Sequence, residues 1–227
     1  MTDRRGQLHV VGVALLLGIA VIAMGALTAA VGAVVNSTAA QADADRVADD
    51  LDTALQPVGA TGPNRGQVTF ASGRLHRVDR TLEVRDDGTT VETIRVDALV
   101  FEPGDRRVAS LLGAVVRGQA GRAWLETKPP ITADEDVLVV GAVSSTGGVT
   151  ATVQTDIAHD RRPLGDATVT FALGTATPAA WERAFEAHGA TVMTRHGTPP
   201  TVEATFPGER TGYLVVHDLE AEVTAYE

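Results

Sequence analysis

The chain of 227 residues contains no cysteine, and only 4% of its residues are aromatic. Without cysteine it forms no disulfide, no cysteine-ligated zinc site and no thiol nucleophile, so its stability must come from packing. Lysine is almost absent as well, since Lys128 is the only one, and the formal net charge is −10. This acidic balance, without a basic stripe, argues against nucleic acid as a partner because phosphate binding needs clustered cations.

Motifs that carry catalysis are also missing. The sequence has no glycine loop followed by Lys and Ser/Thr, no His-Glu-x-x-His, no Gly-x-Ser-x-Gly and no dinucleotide fingerprint. Its six histidines are scattered without metal-ligand spacing. Asp134, Glu135 and Asp136 offer oxygen ligands to a calcium ion, but a polar loop before the next strand is the simpler interpretation. We therefore predict no enzyme activity, no metal site and no cofactor.

Charged residues are missing from the stretch between Leu8 and Val35. As a helix at 1.5 Å per residue, these roughly 28 residues extend about 42 Å, more than the roughly 30 Å of a bilayer core. The stretch exceeds the apolar region of about 7 to 15 residues in a cleaved secretory signal, although Ala29, Ala30 and Ala33 resemble a cleavage site. We predict that the helix is retained and crosses a membrane.

The arginines around this helix predict its orientation. Arg4 and Arg5 precede it, and the next cationic residue is Arg46, so the N-terminus is expected inside and the rest of the chain outside. Arg4 and Arg5 also partly match a twin-arginine export signal, but Gln7 stands where that signal has an apolar residue. We expect a cell-membrane protein with a single span and an extracellular C-terminal domain.

Small residues recur within the apolar helix. Gly18, Gly25 and Gly32 are spaced by seven residues, which places them near one stripe where another helix can approach closely. The stripe predicts helical partners. The general abundance of glycine in membrane helices is the alternative explanation.

The start of the chain carries a family resemblance. Arg5, Gly6 and Gln7, followed at once by an apolar helix with an early glycine, resemble the class III signal of archaeal type IV pilins and pilin-like proteins. The resemblance implies that a membrane prepilin peptidase cuts between Gly6 and Gln7, and that the helix then packs among other pilin-like subunits. His9 and Val10 stand where many major pilins of that group have Ser-Pro, which leaves open a main or an accessory subunit.

Two further features concern the habitat. The segment from Gly113 to Pro130 resembles the head domains of pilin-like proteins from halophilic archaea. Excess carboxylate keeps a protein hydrated in strong salt, where charge repulsion is screened, so a high-salt habitat is a hypothesis that the composition supports. A GC-rich genome is the alternative explanation for the preference for arginine over lysine.

The order of segments predicts four parts: a class III leader (1–6), a membrane and filament-core helix (7–56), a linker (57–66) and an extracellular head (67–227). The sequon at Asn36 lies on the predicted outer side, where it is a candidate for glycosylation. Beyond it, Val47 and Leu51 have helical spacing, so the helix is expected to continue to Pro57 with Asp43 and its neighbouring aspartates in solvent.

The head is predicted to consist of short antiparallel strands arranged like a sandwich. One short helix interrupts them, opening at Thr177 and Pro178 and closing at Gly189, with Trp181 and Phe185 in the core. The expected fold class is α+β: a long hydrophobic N-terminal helix followed by a mainly antiparallel β head with one short helix.

Two functions from different classes follow. The first is a type IV pilin-like subunit, anchored by its N-terminal helix and assembled into, or at the base of, a surface filament involved in adhesion. The alternative is a membrane-anchored extracellular binding or sensory domain that does not polymerise. A hydrolase is disfavoured because its motifs are missing.

Overall fold

The structure, a computed structural model, describes residues 4–55, 64–86, 88–119, 122–146 and 152–222. These described residues form two helices and thirteen strands in two sheets, which is the α+β class predicted from the sequence. The chain divides into two compact units, Met1–Ala40 and Gln41–Glu227.

Helix α1 runs without interruption through Arg4–Leu55, a length of 52 residues. This range contains no proline, and its many alanine and leucine residues favour a helix over most of its length. The predicted stop at Pro57 and Gly59 and most of the predicted linker, 57–66, lie outside the described residues. Within that linker range, Asn64 already begins a strand.

The remaining elements all belong to the second unit. In chain order they are β1 (Asn64–Gln67), β2 (Arg74–Val78), β3 (Thr81–Asp86), β4 (Thr89–Arg95), β5 (Ala98–Glu102), β6 (Arg106–Leu111), β7 (Ala114–Gln119), β8 (Arg122–Thr127), β9 (Ile131–Ala133), β10 (Val137–Thr146), β11 (Thr152–Gly174), α2 (Pro178–Ala187), β12 (Thr191–Arg195) and β13 (Thr201–Glu222).

The strands form a larger sheet and a smaller one. The larger sheet has the order β4-β3-β11-β13-β10-β9, with β1 added to β11 and β12 added to β13. The smaller sheet has the order β2-β5-β6-β7-β8. Among the described strands, β10 and β13 pair in parallel and the other pairs are antiparallel, as predicted for a mainly antiparallel head.

Two segments that the sequence predicts as single strands, 90–101 and 107–117, each form two strands. Residues 107–117 form β6 and β7, joined at Leu112 and Gly113, whose φ angles are 51° and 73°. Positive φ at both central residues is the requirement of a two-residue hairpin turn, and glycine meets it without strain. Residues 90–101 likewise divide into β4 and β5, which belong to different sheets. Apolar residues continue on both sides of each junction, so the sequence pattern does not reveal where one strand ends and the next begins.

The smaller sheet is covered on both faces. On β5, Ala98 and Val100 belong to a core cluster shared with the larger sheet and α2, whereas Leu99 and Phe101 belong to a second cluster that includes the end of α1. Successive side chains of a strand point to opposite faces, which explains why β5 is apolar at four consecutive positions.

The last turns of α1 pack in this second cluster. Val47, Ala48 and Leu51 are buried there together with Phe101 and Val115 of the smaller sheet. Their spacing of three and four residues places them on one face of the helix, as predicted. The apolar residues therefore make the end of α1 part of the core of the second unit.

The aspartates of this helical segment form the solvated face expected from the sequence only in part, since Asp49 is exposed but four others have hydrogen-bond or ion-pair partners. Asp43 is buried, and its carboxylate accepts hydrogen bonds from the backbone N–H groups of Ala71 and Ser72 at 3.0 and 2.9 Å and from the Ser72 hydroxyl at 3.1 Å. Three others are also engaged within the second unit: Asp45 pairs with Arg117, Asp50 accepts from Thr69, and Asp52 accepts from Thr127. Short aspartate side chains fit here because the chain that follows the helix returns alongside it and offers unpaired donors.

Helix α2 agrees with its sequence signals. Thr177 precedes Pro178 at the first helical position, and Gly189 follows the helix with a φ of 82°. Trp181 and Phe185 are fully buried in the larger core, as predicted, with their ring centroids 5.9 Å apart. The helix therefore contributes core packing rather than an exposed aromatic surface.

The packing of α1 predicts a measurable loss of stability. Replacing Leu51 by Ala removes a buried side chain and leaves a cavity, which we expect to lower the free energy of unfolding by about 2–5 kcal/mol. The measurement is urea unfolding of the full chain in detergent, followed by tryptophan fluorescence. Met193→Ala is the control, since Met193 is 61% exposed and its removal should change stability by less than about 0.5 kcal/mol. Equal losses in the two variants would contradict the role of Leu51.

Candidate functional site

The apolar part of α1 is exposed along its whole described length. Residues 12–39 are exposed, including Leu17 at 60% and Ile22 at 74%. Among the described residues, α1 is long and apolar enough to cross a membrane, and the mean hydropathy of its most apolar 18-residue segment is 2.4. So much exposed apolar surface needs a cover that this single chain does not provide.

The glycine stripe lies on this exposed segment. A Cβ atom added at Gly18, Gly25 or Gly32 would meet no atom within 4 Å beyond the backbone of the helix itself, in the part of the chain that the structure describes. The stripe is therefore open to an approaching helix.

The predicted processing and glycosylation residues lie on the same helix. Arg5, Gly6 and Gln7 are within the helical range Arg4–Leu55, but their side chains lie outside the described part of the chain. Asn36 is exposed and helical, and the hydroxyl of Thr38 in the same sequon donates to the Val34 carbonyl at 2.9 Å. The sequon is therefore accessible, with its threonine hydroxyl bonded to the helix backbone.

A cleft of about 370 Å³ lies on the outer face of the larger sheet. Four arginines and four carboxylates line it. The arginines are Arg80, Arg85, Arg95 and Arg195, and the carboxylates are Asp79, Glu83, Asp97 and Glu203. We call this site the arginine cleft. The two kinds of charge balance within the cleft, although the chain as a whole is acidic.

The pairing of three strands explains how these charges meet. Ala172 on β11 pairs with Glu83 of β3 on one side and with Glu203 of β13 on the other. Because Ala172 is small, the Arg85 side chain can cross over β11 to reach Glu203. Arg85 donates to Glu203 at 2.7 Å and to Glu83 at 2.6 Å, and Arg195 on β12 pairs with Glu203 at 2.8 Å.

These ion pairs shift two pKa values. Burial raises the pKa of the Glu203 carboxyl, but the hydrogen bonds from Arg195 and Arg85 lower it, and the net pKa lies below the usual value for glutamate. Hydrogen bonds to Glu83 and Glu203 raise the pKa of Arg85 above its already high value. Glu203 therefore remains ionised and holds two arginines at neutral pH.

The arginine cleft also contains cationic groups with spare hydrogen-bonding capacity. Arg95 is exposed and makes no hydrogen bond or ion pair with any side chain that the structure describes. Arg195 is 64% exposed at its side chain. Such forked donors suit the binding of carboxylate or other oxyanion groups, so the arrangement is typical of a binding surface.

No local pattern in the sequence identifies the arginine cleft. Arg85 and Glu203 are 118 positions apart, and their contact depends on the register of three strands. Alternation of charge on β3 was the available signal, since Glu83 and Arg85 flank the buried Val84. It indicates one polar face but does not say which residues lie opposite.

The acidic run at 134–136 forms a turn between β9 and β10. The Asp134 carboxylate accepts the Glu135 N–H at 2.8 Å, and the carbonyl of Asp136 accepts the Thr211 N–H at 2.9 Å. No group of three or more His, Asp or Glu side chains has metal-binding geometry among the described residues. The run therefore reads as loop structure.

The ion pairs of Glu203 predict a pH-dependent loss of stability. We expect Glu203→Gln to lower the free energy of unfolding by about 1–2 kcal/mol at pH 7, because the hydrogen bonds from Arg85 and from the largely exposed Arg195 lose their carboxylate acceptor. The pKa of Glu203 is lower in the folded state, so its contribution is complete above the unfolded pKa of about 4.3 and disappears as the pH falls through the folded value. Urea unfolding at several pH values should show the gap between the two proteins closing below about pH 4.3.

Glu126→Gln is the matched control for this experiment. Glu126 is 41% exposed and lies 3.7 Å from Arg117, so its loss should cost less than about 1 kcal/mol at any pH. A Glu203→Gln deficit that stays constant down to pH 3 would contradict the assignment.

Comparison with known proteins identifies a family. No curated protein and no solved structure matches this chain. A family described as a family of unknown function, DUF7289, matches residues 5–222, from the start of the apolar helix to the end of β13. The match covers both compact units of the structure, so the apolar helix and the β-rich unit belong to the same family sequence. The chain therefore belongs to the DUF7289 family.

Proposed function

We propose that this chain is a type IV pilin-like subunit of the archaeal kind. In this proposal prepilin peptidase cuts between Gly6 and Gln7, helix α1 holds the subunit in the cell membrane, and α1 then packs with the helices of other subunits in, or at the base of, a surface filament. The β-rich unit lies outside the cell and determines what the filament contacts. The function is assembly and adhesion, without catalysis.

The observation that carries the proposal is the dual character of α1. One uninterrupted helix has an apolar and exposed first part, up to residue 39, and a last part with Val47 and Leu51 buried in the core of the second unit. A subunit that must sit in a lipid bilayer and later in a helical filament core needs such an element. Its apolar half needs surrounding lipid or helices, and its other half fixes it to a folded domain.

The same helix argues against removal of the apolar segment. Secretory cleavage near Ala29 or Ala33 would cut inside α1 and leave a shortened helix to pack against the smaller sheet. Cleavage before Gln7, as the class III resemblance implies, leaves the apolar helix whole.

Assembly then depends on exchanging one apolar environment for another. Lipid contacts cover the exposed side chains before assembly, and neighbouring helices cover them afterwards. Because lipid is as apolar as leucine, this exchange is driven by close packing, which glycine promotes by letting backbones approach. The open stripe at Gly18, Gly25 and Gly32 supports this step.

A second candidate is a membrane-anchored binding or sensory domain that never polymerises. The arginine cleft favours it, because spare guanidinium groups on an extracellular surface suit recognition of an anionic ligand. The two candidates differ in the fate of the first six residues and in the need for helical partners, and each difference has a direct experiment.

Cleavage is tested by mass spectrometry of the native N-terminus. We expect the mature chain to begin at Gln7, and we expect Gly6→Leu to accumulate uncut protein that begins at Met1 or Thr2, because a bulky side chain beside the scissile bond blocks access. Val13→Leu, inside the helix, is the control and should be processed normally. A wild-type chain that begins at Met1 or Thr2 supports the plain anchor, and a soluble product that begins near Thr38 would contradict both candidates.

Helix packing is tested on the glycine stripe. Gly25→Leu should lower filament yield about tenfold, the effect of losing roughly 1.4 kcal/mol per contact, while membrane insertion is unchanged. Ala23→Leu is the matched control, because two residues along a helix turn the side chain about 160° away from Gly25. The measurement is the amount of this chain in purified filaments relative to membranes. Equal yields for both variants would show that the stripe is not part of the assembly interface. If the wild-type chain is absent from all filaments, only an accessory role or the membrane-anchored domain that does not polymerise would remain.

A further inference from the structure

A small cavity lies between the smaller sheet and the loop that leads into α2. About 10 Å³ of it is available to the centre of a water-sized particle, which is the room that one water molecule or one monatomic ion needs. Its polar lining consists of Arg80, Arg107, Thr175, Thr177 and Trp181, and its other lining residues are apolar. None of the described lining residues is an aspartate or a glutamate.

Trp181 supplies the first indication of a missing partner. Its side chain is fully buried, and its indole Nε1–H has no hydrogen-bond acceptor among the residues that the structure describes. Indole nitrogen is a donor only, and buried donors in folded proteins almost always have an acceptor. The cavity that Trp181 lines is the place where such an acceptor fits.

Arg107 supplies the second indication. Its Nη1 donates to the Glu102 carboxylate at 2.7 Å, but its Nε is buried and has no partner in the described part of the chain. Two unrelated buried donors, an indole and a guanidinium Nε, therefore belong to residues that line the same small space.

Two arginines line the cavity, although Arg107 pairs with Glu102, and Asp79 and Asp97 lie near Arg80. Burial lowers the pKa of the Arg80 guanidinium and the charge of Arg107 lowers it further, whereas Asp79 and Asp97 raise it, and the net pKa lies below the usual value for arginine. The positive charges of Arg80 and Arg107 are therefore close enough to repel each other. The N-terminus of the ten-residue helix α2 adds partial positive charge, since Thr177 precedes it without a side-chain cap.

The geometry points to a binding site for one chloride ion, held by the N–H groups of Trp181 and Arg107, the Arg80 charge and one threonine hydroxyl, since the hydroxyls of Thr175 and Thr177 bond to each other. An anion only accepts hydrogen bonds, which matches donors that have no acceptor, whereas a water molecule would also have to donate its own hydrogens. The ion would also reduce the repulsion between Arg80 and Arg107.

A larger cleft borders the small cavity. It has a volume of about 360 Å³ and shares Arg107, Ala176 and Thr177 with the small cavity.

The site is tested first by thermal unfolding of the full chain in detergent. Sodium gluconate is replaced stepwise by sodium chloride at constant ionic strength, since gluconate is too large for the cavity. Bound chloride stabilises only the folded state, so we expect the unfolding midpoint to rise by about 2 °C or more and to saturate with chloride. Trp181→Phe removes the N–H donor while keeping an aromatic ring, and it should abolish the rise.

Trp124→Phe is the matched control, because Trp124 is 43% exposed and lies outside the cavity lining. It should keep the chloride-dependent rise in full. A wild-type midpoint that does not respond to chloride would overturn the proposal, and so would an unchanged response in Trp181→Phe.

The wild-type protein gives an independent test that needs no variant. Crystals of the full chain soaked in sodium bromide should show one anomalous peak beside Trp181 Nε1, because bromide replaces chloride. A single water molecule at that place, without an anomalous peak, would overturn the site. A bromide peak without any chloride response in solution would mean binding at crystal concentration only, and would overturn it equally.

Discussion

The contact between the last turns of α1 and the smaller sheet is the constraint on which the rest of the molecule depends. Val47, Ala48 and Leu51 cover one face of that sheet, while the other face packs in the core shared with the larger sheet. Apolar side chains on both faces of β5 would be unfavourable if α1 ended earlier, because Leu99 and Phe101 would then face water. The β-rich unit therefore needs the last turns of α1 for its core, although the first part of the same helix is too apolar to be stable in water.

Local signals were enough to predict the elements that depend on local sequence. The length of α1 and the opening of α2 at Pro178 follow from a hydrophobic run and from residues typical of a helix start. In each case the decisive residues lie within a few positions of one another. The split of residues 107–117 escaped prediction because a buried leucine, Leu112, occupies a turn position that polar residues normally hold.

The candidate sites were beyond sequence reasoning for a different reason. Arg85, Arg195 and Glu203 come from three strands, and the small cavity combines Arg80, Arg107 and Trp181 from separate elements. Charge alternation identifies a polar face, and helix spacing identifies a buried face, but neither gives the register between distant segments. The burial of Asp43 was not predictable for the same reason. Its helical segment is rich in alanine and aspartate, and the backbone donors of Ala71 and Ser72 come from the chain that returns after the helix.

Under the proposed function, the two ends of α1 have opposite roles in assembly. The end at Val47 and Leu51 must stay fixed to the β-rich unit, so that any force on that unit reaches the helix. The beginning must be able to leave the bilayer, and the arginines Arg4 and Arg5 oppose this because they hold the N-terminus on the cytoplasmic side. Cleavage before Gln7 would remove both arginines and leave an apolar helix with a single terminal amino group, which lowers the cost of extraction. One proteolytic step would then change a stable anchor into a subunit that can move from lipid to a bundle of helices, without any change in the fold of the β-rich unit.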